Sequence, residues 1–197
     1  EQGYAPAQFN LALRFDKGQG VPRDSQKAIG WYRRAAVQGH ASSQFNLALI
    51  YDGGHDVPRD DEMALEWYRK AADQGHAGAQ DNIGMRYEHG QGVAQDFEQA
   101  QLWYRKAAGQ GFASAQYHLG QLYDAGAGVD RDPGEATAWY RKAAEQNHVR
   151  AQFELGLRYE AGIDVAQDYS LAMHWYRRAA DHDYAPAQFM VGALYDS

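Results

Sequence analysis

The dipeptide Trp-Tyr occurs five times, beginning at Trp31, Trp67, Trp103, Trp139 and Trp175, and each tryptophan follows the previous one by 36 residues. A fixed period of that length means one supersecondary unit stacked on copies of itself, rather than a fold around one central core. A length of 197 residues would otherwise suggest one or two globular domains. The period overrides that prior. Aligned on the tryptophans, full units span 5–40, 41–76, 77–112, 113–148 and 149–184, and a partial unit spans 185–197, so residues 1–197 read as a single array. Both ends fall inside a repeat, and the chain opens at Glu1, as a processed or excised segment would.

Each unit predicts two helices. The first runs from about Ala5 to Asp16, where Gln8, Leu11, Ala12 and Phe15 share one helical face. It ends at a recurring glycine (Gly18, Gly54, Gly90, Gly126, Gly162), suited to the left-handed conformation just past a helix end. A recurring valine in the following loop (Val21 and its copies) is expected to pin that loop. The second helix starts at Asp24, Asp60, Asp96, Asp132 or Asp168, whose carboxylates can accept first-turn N–H groups. Asp96 with Gln99 and Asp132 with Glu135 fit a reciprocal capping box. This helix ends near Gly39, Gly75 and Gly111. Asn147 and Asp183 stand at the same place in the later copies, and these two types best replace glycine there. Alanine pairs such as Ala35-Ala36 allow close helix approach. Tyr32 shares a face with Ala28, and the tryptophans are expected on the flank, packed between units.

Composition narrows the functional classes. There are 26 acids against 19 bases, a net charge of −7, so a phosphate-binding surface is disfavoured and nucleic acid is a poor partner. With no cysteine, disulfides and thiol chemistry are excluded. No apolar run reaches the length of a membrane-spanning helix.

The residues resemble known repeats. Leu119-Gly120 with Tyr123, followed by Ala136 and Tyr140, is similar to the core of the tetratricopeptide repeat. The 36-residue period, the Gly-x-Gly-Val loop and the Trp-Tyr-Arg-Lys-Ala-Ala run resemble the Sel-one-like repeat, a tetratricopeptide-like subfamily. The resemblance covers essentially the whole chain. It implies an all-α fold, a right-handed α-solenoid of helix-turn-helix repeats, and a role as a scaffold for protein complexes. By the same analogy the origin is bacterial, in cytoplasm or periplasm. The branch with a cysteine pair in each repeat is not matched.

Catalytic, cofactor and metal readings find little support. His40, His76 and His148 occupy one repeat position, but neighbouring helices stand ~8–10 Å apart and such a ladder cannot converge on one ion. They read as turn residues packing on the next unit. The acids Asp16, Asp52, Glu88, Asp124, Glu160 and Asp196 recur too regularly to form one site. With the arginine row Arg33, Arg69, Arg105, Arg141 and Arg177 they are expected to pair or lie solvated. The glycine loops lack the strand-before-helix setting of a nucleotide site.

The informative positions are those where copies differ. In the tetratricopeptide family the first helix lines a concave binding surface. Its sixth position here reads Asn10, Asn46, Asn82, His118, Glu154 and Met190; its ninth reads Leu13, Leu49, Met85, Gln121, Leu157 and Ala193. Amides can serve an extended peptide backbone, and apolar residues on a nominally exposed face point to a ligand or an inter-helix contact. The tenth position alternates: Arg14, Ile50, Arg86, Leu122, Arg158 and Leu194. Its arginines either engage spaced acidic groups on a partner or cover neighbouring helices with their stems while the charge stays wet. The expected function is a non-enzymatic adaptor holding a protein or extended peptide. The alternatives are head-to-tail self-association through uncapped ends and, with least support, hydrolytic or polysaccharide-modifying activity.

Overall fold

The computed structural model describes residues 3–54 and 56–195. Among these residues there are eleven α-helices and no strand. Contacts group the chain into two compact units, 1–95 and 96–197. The first unit holds α1 (Ala5–Lys17), α2 (Ser25–Val37), α3 (Ala41–Gly53), α4 (Asp61–Asp73) and α5 (Ala77–His89). The second holds α6 (Phe97–Gly109), α7 (Ala113–Ala125), α8 (Pro133–Glu145), α9 (Val149–Ala161), α10 (Tyr169–Ala180) and α11 (Ala185–Tyr195). Within each unit every helix packs on the one that follows it in sequence. That is the contact pattern of stacked helical hairpins.

The helix ends follow from residue chemistry. Asp24, Asp60, Asp96, Asp132 and Asp168 each cap a second helix, accepting the N–H three residues on at 2.9–3.0 Å. The reciprocal box expected at Asp132 does not close. Its backbone N–H donates instead to the Tyr123 carbonyl at 3.0 Å, which ties the start of α8 back to the end of α7. Asp24, Asp60 and Asp168 make the same tie to Phe15, Tyr51 and Tyr159. Backbone therefore anchors the loop, and the valine beside it is only half-buried. The left-handed position after the second helix is real. Asn147 takes φ 64° and Asp183 φ 58° where earlier copies use glycine.

The core is made of small residues under tyrosine rings. Ala28, Tyr32, Ala35 and Ala36 are buried together on α2, and the pattern repeats through Tyr68, Tyr104, Tyr140 and Tyr176. In the second unit the tyrosines press on glycine: a Cβ added at Gly120 would lie 2.5 Å from the Tyr140 ring, and one at Gly156 2.4 Å from the Tyr176 ring. Trp67 and Trp175 are buried, and Trp175 joins a cluster with Tyr140, Ala144 and Leu155 drawn from the fourth and fifth repeats. Trp31, Trp103 and Trp139 are half-buried. A cation three residues on covers each indole, from Lys106 at 3.7 Å to Arg178 at 5.0 Å.

Candidate partner-binding faces

The first helices of each unit (α1, α3 and α5; α7, α9 and α11) carry the sequence-predicted rows. Sixth and ninth positions keep access to solvent. Asn10, Leu49 and Gln121 are exposed, whereas Leu13, Asn46, Asn82, Met85, His118, Glu154 and Leu157 are half-buried. Leu49 shows 43% of its surface although it is large and apolar. The His118 ring lies tilted against Tyr104, with centroids 4.9 Å apart. Burial, joined by the Asp124 charge, raises the Glu154 carboxyl above its usual range while Arg158 opposes the shift.

The tenth position departs from expectation. Arg14 is exposed and Ile50 half-buried, but Arg86, Leu122 and Arg158 are buried. Arg86 donates from Nη2 to Asp52 Oδ1 at 2.7 Å. Its Nη1 reaches Asp61 Oδ1 at 3.3 Å and the Gln91 carbonyl at 3.2 Å. The guanidinium lies 5.5 Å from the centroid of the Tyr68 ring. Arg158 repeats this with Asp124, the Thr137 hydroxyl (2.8 Å), the Pro133 carbonyl (3.3 Å) and the Tyr140 ring (5.1 Å). These two arginines are therefore neither offered to a partner's acidic groups nor left with a wet charge, which corrects both readings at Arg86 and Arg158, while Arg14 stays exposed. Periodicity put them on a flank, but the side chain is long enough to reach the preceding repeat, where a carboxylate waits 34 residues upstream in each case.

Of the two alternatives for the arginine row, pairing with the acid row or solvation, the exposure of Arg33, Arg69, Arg105, Arg141 and Arg177 fits the second. Tyr68 donates its hydroxyl to Asp52 at 3.1 Å, and Tyr176 to Glu160 at 2.5 Å. Tyr32 reaches Asp16 at 3.4 Å. Burial, opposed by a hydrogen bond with the Asn46 side chain and helped by the Asp16 carboxylate, pushes the Tyr32 hydroxyl up to about 12; burial and the adjacent carboxylate raise Tyr68, Tyr140 and Tyr176 further. All four remain donors at neutral pH. The arginines donate instead to tyrosines of the following repeat: Arg33 to Tyr51 (2.8 Å), Arg69 to Tyr87 (3.2 Å), Arg105 to Tyr123 (2.7 Å), Arg141 to Tyr159 (3.2 Å) and Arg177 to Tyr195. Asp196 lies outside the described residues.

Two further polar rows were not legible in advance. The fourth-position glutamines cross-link helices. Gln44 Nε2 donates to the Ala36 carbonyl at 3.0 Å while its Oε1 accepts from Gln74 at 2.7 Å. Gln116 and Gln146 repeat the bridge. The histidines are helix caps: Nδ1 of His40, His76 and His148 accepts from the N–H of Ser43, Ala79 and Ala151 at 3.2–3.3 Å. The His76 and His148 rings stack on Phe45 and Tyr117, and the His40 ring lies tilted against Phe9, each within the repeat that the histidine closes. Burial lowers the pKa of His40 and His76, which keeps Nδ1 available as an acceptor. Among the described residues, no three His, Asp or Glu side chains gather into a metal-binding group, and no helix is long and apolar enough to cross a membrane.

Comparison with known proteins matches this geometry to a family. Residues 5–40, 41–76, 77–112, 113–148 and 149–184 each match the Sel1 repeat. The chain belongs to the Sel1 repeat family, an all-α solenoid of helix-turn-helix units. Among solved structures it is similar to a Sel1 repeat protein from Oxalobacter formigenes, with 35% identity and a TM-score of 0.92 over 98% of this chain and 77% of that one. It is also similar to c5321, a protective antigen of uropathogenic Escherichia coli, with 38% identity and a TM-score of 0.89; the match covers 98% of this chain but only 41% of that one. An immunity protein from Pseudomonas aeruginosa shares the fold at 24% identity and a TM-score of 0.64, over 94% of this chain and 71% of that one. No curated protein matches the chain. Proteins built from this repeat generally act as protein-interaction scaffolds, and the fold is typically non-catalytic.

Proposed function

We propose that this chain is a non-enzymatic adaptor that holds a protein or extended peptide against its first-helix faces. The observation that carries the reading is the exposed and half-exposed row of Leu13, Leu49, Met85 and Leu157, interleaved with Asn10, Asn46 and Asn82. Apolar surface flanked by amides is the composition of a face that closes over a peptide backbone. The acidic partner groups expected from the tenth row lose two of their anchors, since Arg86 and Arg158 are engaged internally, leaving the exposed Arg14. Capture with cross-linking, comparing the native chain with an Asn46→Ala, Leu49→Asp, Asn82→Ala variant of equal helicity, tests the assignment. Capture should be lost in the variant; undiminished capture would reject these faces as the binding surface.

A second reading is head-to-tail self-association, favoured by the exposure of Tyr4 (75%) and Phe189 (73%). Light scattering across a concentration series should then show growing mass, and a constant monomer mass would reject it.

A further inference from the structure

The first and second repeats leave open a place that the next pair fills from within. Asp52, Tyr68 and Arg86 form one ionic cluster. The residues 36 positions earlier are Asp16, Tyr32 and Ile50. The carboxylate and the hydroxyl are retained and the guanidinium is gone. Ile50 packs on the Ala12–Ala28–Tyr32 cluster and cannot serve the acid. A cavity of about 340 Å³ lies there instead, lined by Leu13, Asp16, Tyr32, Asn46 and Ile50, with Lys17 also on its wall. In the second unit the same substitution recurs. Asp124, Tyr140 and Arg158 form the filled cluster, while Glu160, Tyr176 and Leu194 lack the arginine, and a cavity of about 650 Å³ opens beside Glu160 and Leu194.

We propose that the Asp16 cavity is a receptor for an arginine side chain presented by a protein partner. The proposal rests on the adaptor reading above and names one anchor of that partner. The chain itself demonstrates the fit, because Arg86 seats a guanidinium against the equivalent carboxylate and tyrosine ring. The long 3.4 Å contact from Tyr32, whose hydroxyl also hydrogen-bonds the Asn46 side chain, leaves Asp16 with lone pairs to offer. Leu13 and Ile50 provide apolar walls for the methylene stem. A planar fork that pairs with a carboxylate and lies over a tyrosine face favours arginine over lysine. The net charge of −7 also favours a basic partner.

The test uses the whole chain with isoleucine-methyl NMR. The sequence has four isoleucines, Ile29, Ile50, Ile83 and Ile163, so Ile50 reports the cavity and the others report the fold. Acetyl-arginine amide should shift Ile50 while leaving Ile83 and Ile163 in place. Acetyl-citrulline amide, the same shape without charge, should not. Asp16→Asn, which keeps an acceptor for Tyr32, should weaken arginine binding about tenfold, and Lys17→Ala should tighten it. Ile50→Arg, read by the Asp16-dependent change in melting temperature, should fill the site from within and stabilise the chain. Equal shifts from arginine and citrulline, or unchanged affinity in Asp16→Asn, would overturn the proposal. A protein partner that still cross-links at Leu49 and Met85 while acetyl-arginine amide leaves Ile50 unmoved would overturn the cavity assignment and leave the adaptor reading standing.

Discussion

The seam between the first and second repeats and the seam between the second and third are built on the same frame. Each has an acid near the end of a first helix and a tyrosine on the second helix aimed at it. They differ at one position on the helix that follows. Arg86 closes its seam, with its side chain 2% exposed. Ile50 leaves its seam with a carboxylate beside a cavity. The lesson is that a repeat frame, fixed by caps, alanines and tyrosine rings, tolerates two solutions at one of its joints. One solution satisfies the acid internally; the other leaves it for something else to satisfy. The alternation recurs in the second unit, where Arg158 stands in one seam and Leu194 in the next.

The sharpest way to break the comparison is Arg86→Met. It removes a buried cation and leaves Asp52 with the Tyr68 hydroxyl, while Asp61 keeps its pairing with Arg59. Both acids keep about a third of their surface in water, so the loss should sit at the low end for a broken buried pair, about 3 kcal/mol. Urea denaturation should show that loss, whereas Ile50→Met, the matched change at the open seam, should cost less than about 1.5 kcal/mol. Because repeat arrays unfold by parts, both variants need a probe local to the first unit.

Next in size is Gly156→Ala. The added methyl would stand 2.4 Å from the Tyr176 ring that holds Glu160, so the ring must move. The expected cost is about 2 kcal/mol. The first unit already carries Ala12 and Ala48 at this position, fully buried. There, Ala48→Gly should cost about 1 kcal/mol through helix propensity and about 0.8 kcal/mol more through the lost buried methyl. Unchanged or raised stability in Gly156→Ala would show that the tyrosine contact does not hold glycine at this position.

The histidine caps serve both seams alike and so act as a control. His40 caps the helix bearing Ile50, and His76 the helix bearing Arg86. Their folded pKa values lie below 6.5, because burial disfavours the charged ring. Their contribution is therefore complete above pH 6.5 and is lost as pH falls through the lowered folded values. Each cap should be worth about 1 kcal/mol. His76→Ala should flatten the acid limb of a stability–pH profile; an unchanged profile would remove the caps from the account. Smallest of all is Lys142→Ala. It uncovers the Trp139 ring, where the ammonium sits 3.8 Å from the centroid, and should lower stability by about 0.5 kcal/mol.

Much of the frame was legible in the sequence because it depends on short-range chemistry. The Trp-Tyr period gave the unit length. Capping aspartates fell at every second-helix start, and Asn147 and Asp183 took the left-handed backbone in place of glycine. The ends of long polar side chains were not legible. Periodicity places a Cα on a face but does not say where a guanidinium comes to rest. Arg86 and Arg158 therefore read as flank residues until their carboxylates in the preceding repeat were in view. Periodicity places Gln8 on one face with Leu11, Ala12 and Phe15, yet the role of its copy Gln44 as a bridge between Ala36 and Gln74 depends on two other helices. The histidine caps escaped because imidazole is an uncommon cap, although its recurrence immediately before α3, α5 and α9 was a usable signal.

The most direct test of the two-seam account is a double-mutant cycle in the first unit. Ile50→Arg is combined with Asp16→Asn and compared with the native pair through Arg86→Met and Asp52→Asn. If the frame is shared, the introduced arginine will couple to Asp16 with the same sign and similar size as Arg86 couples to Asp52, and Ile50→Arg alone will raise stability. If the Ile50→Arg and Asp16→Asn effects simply add, or Ile50→Arg destabilises the chain, then the first seam does not hold an arginine-shaped vacancy and the account fails.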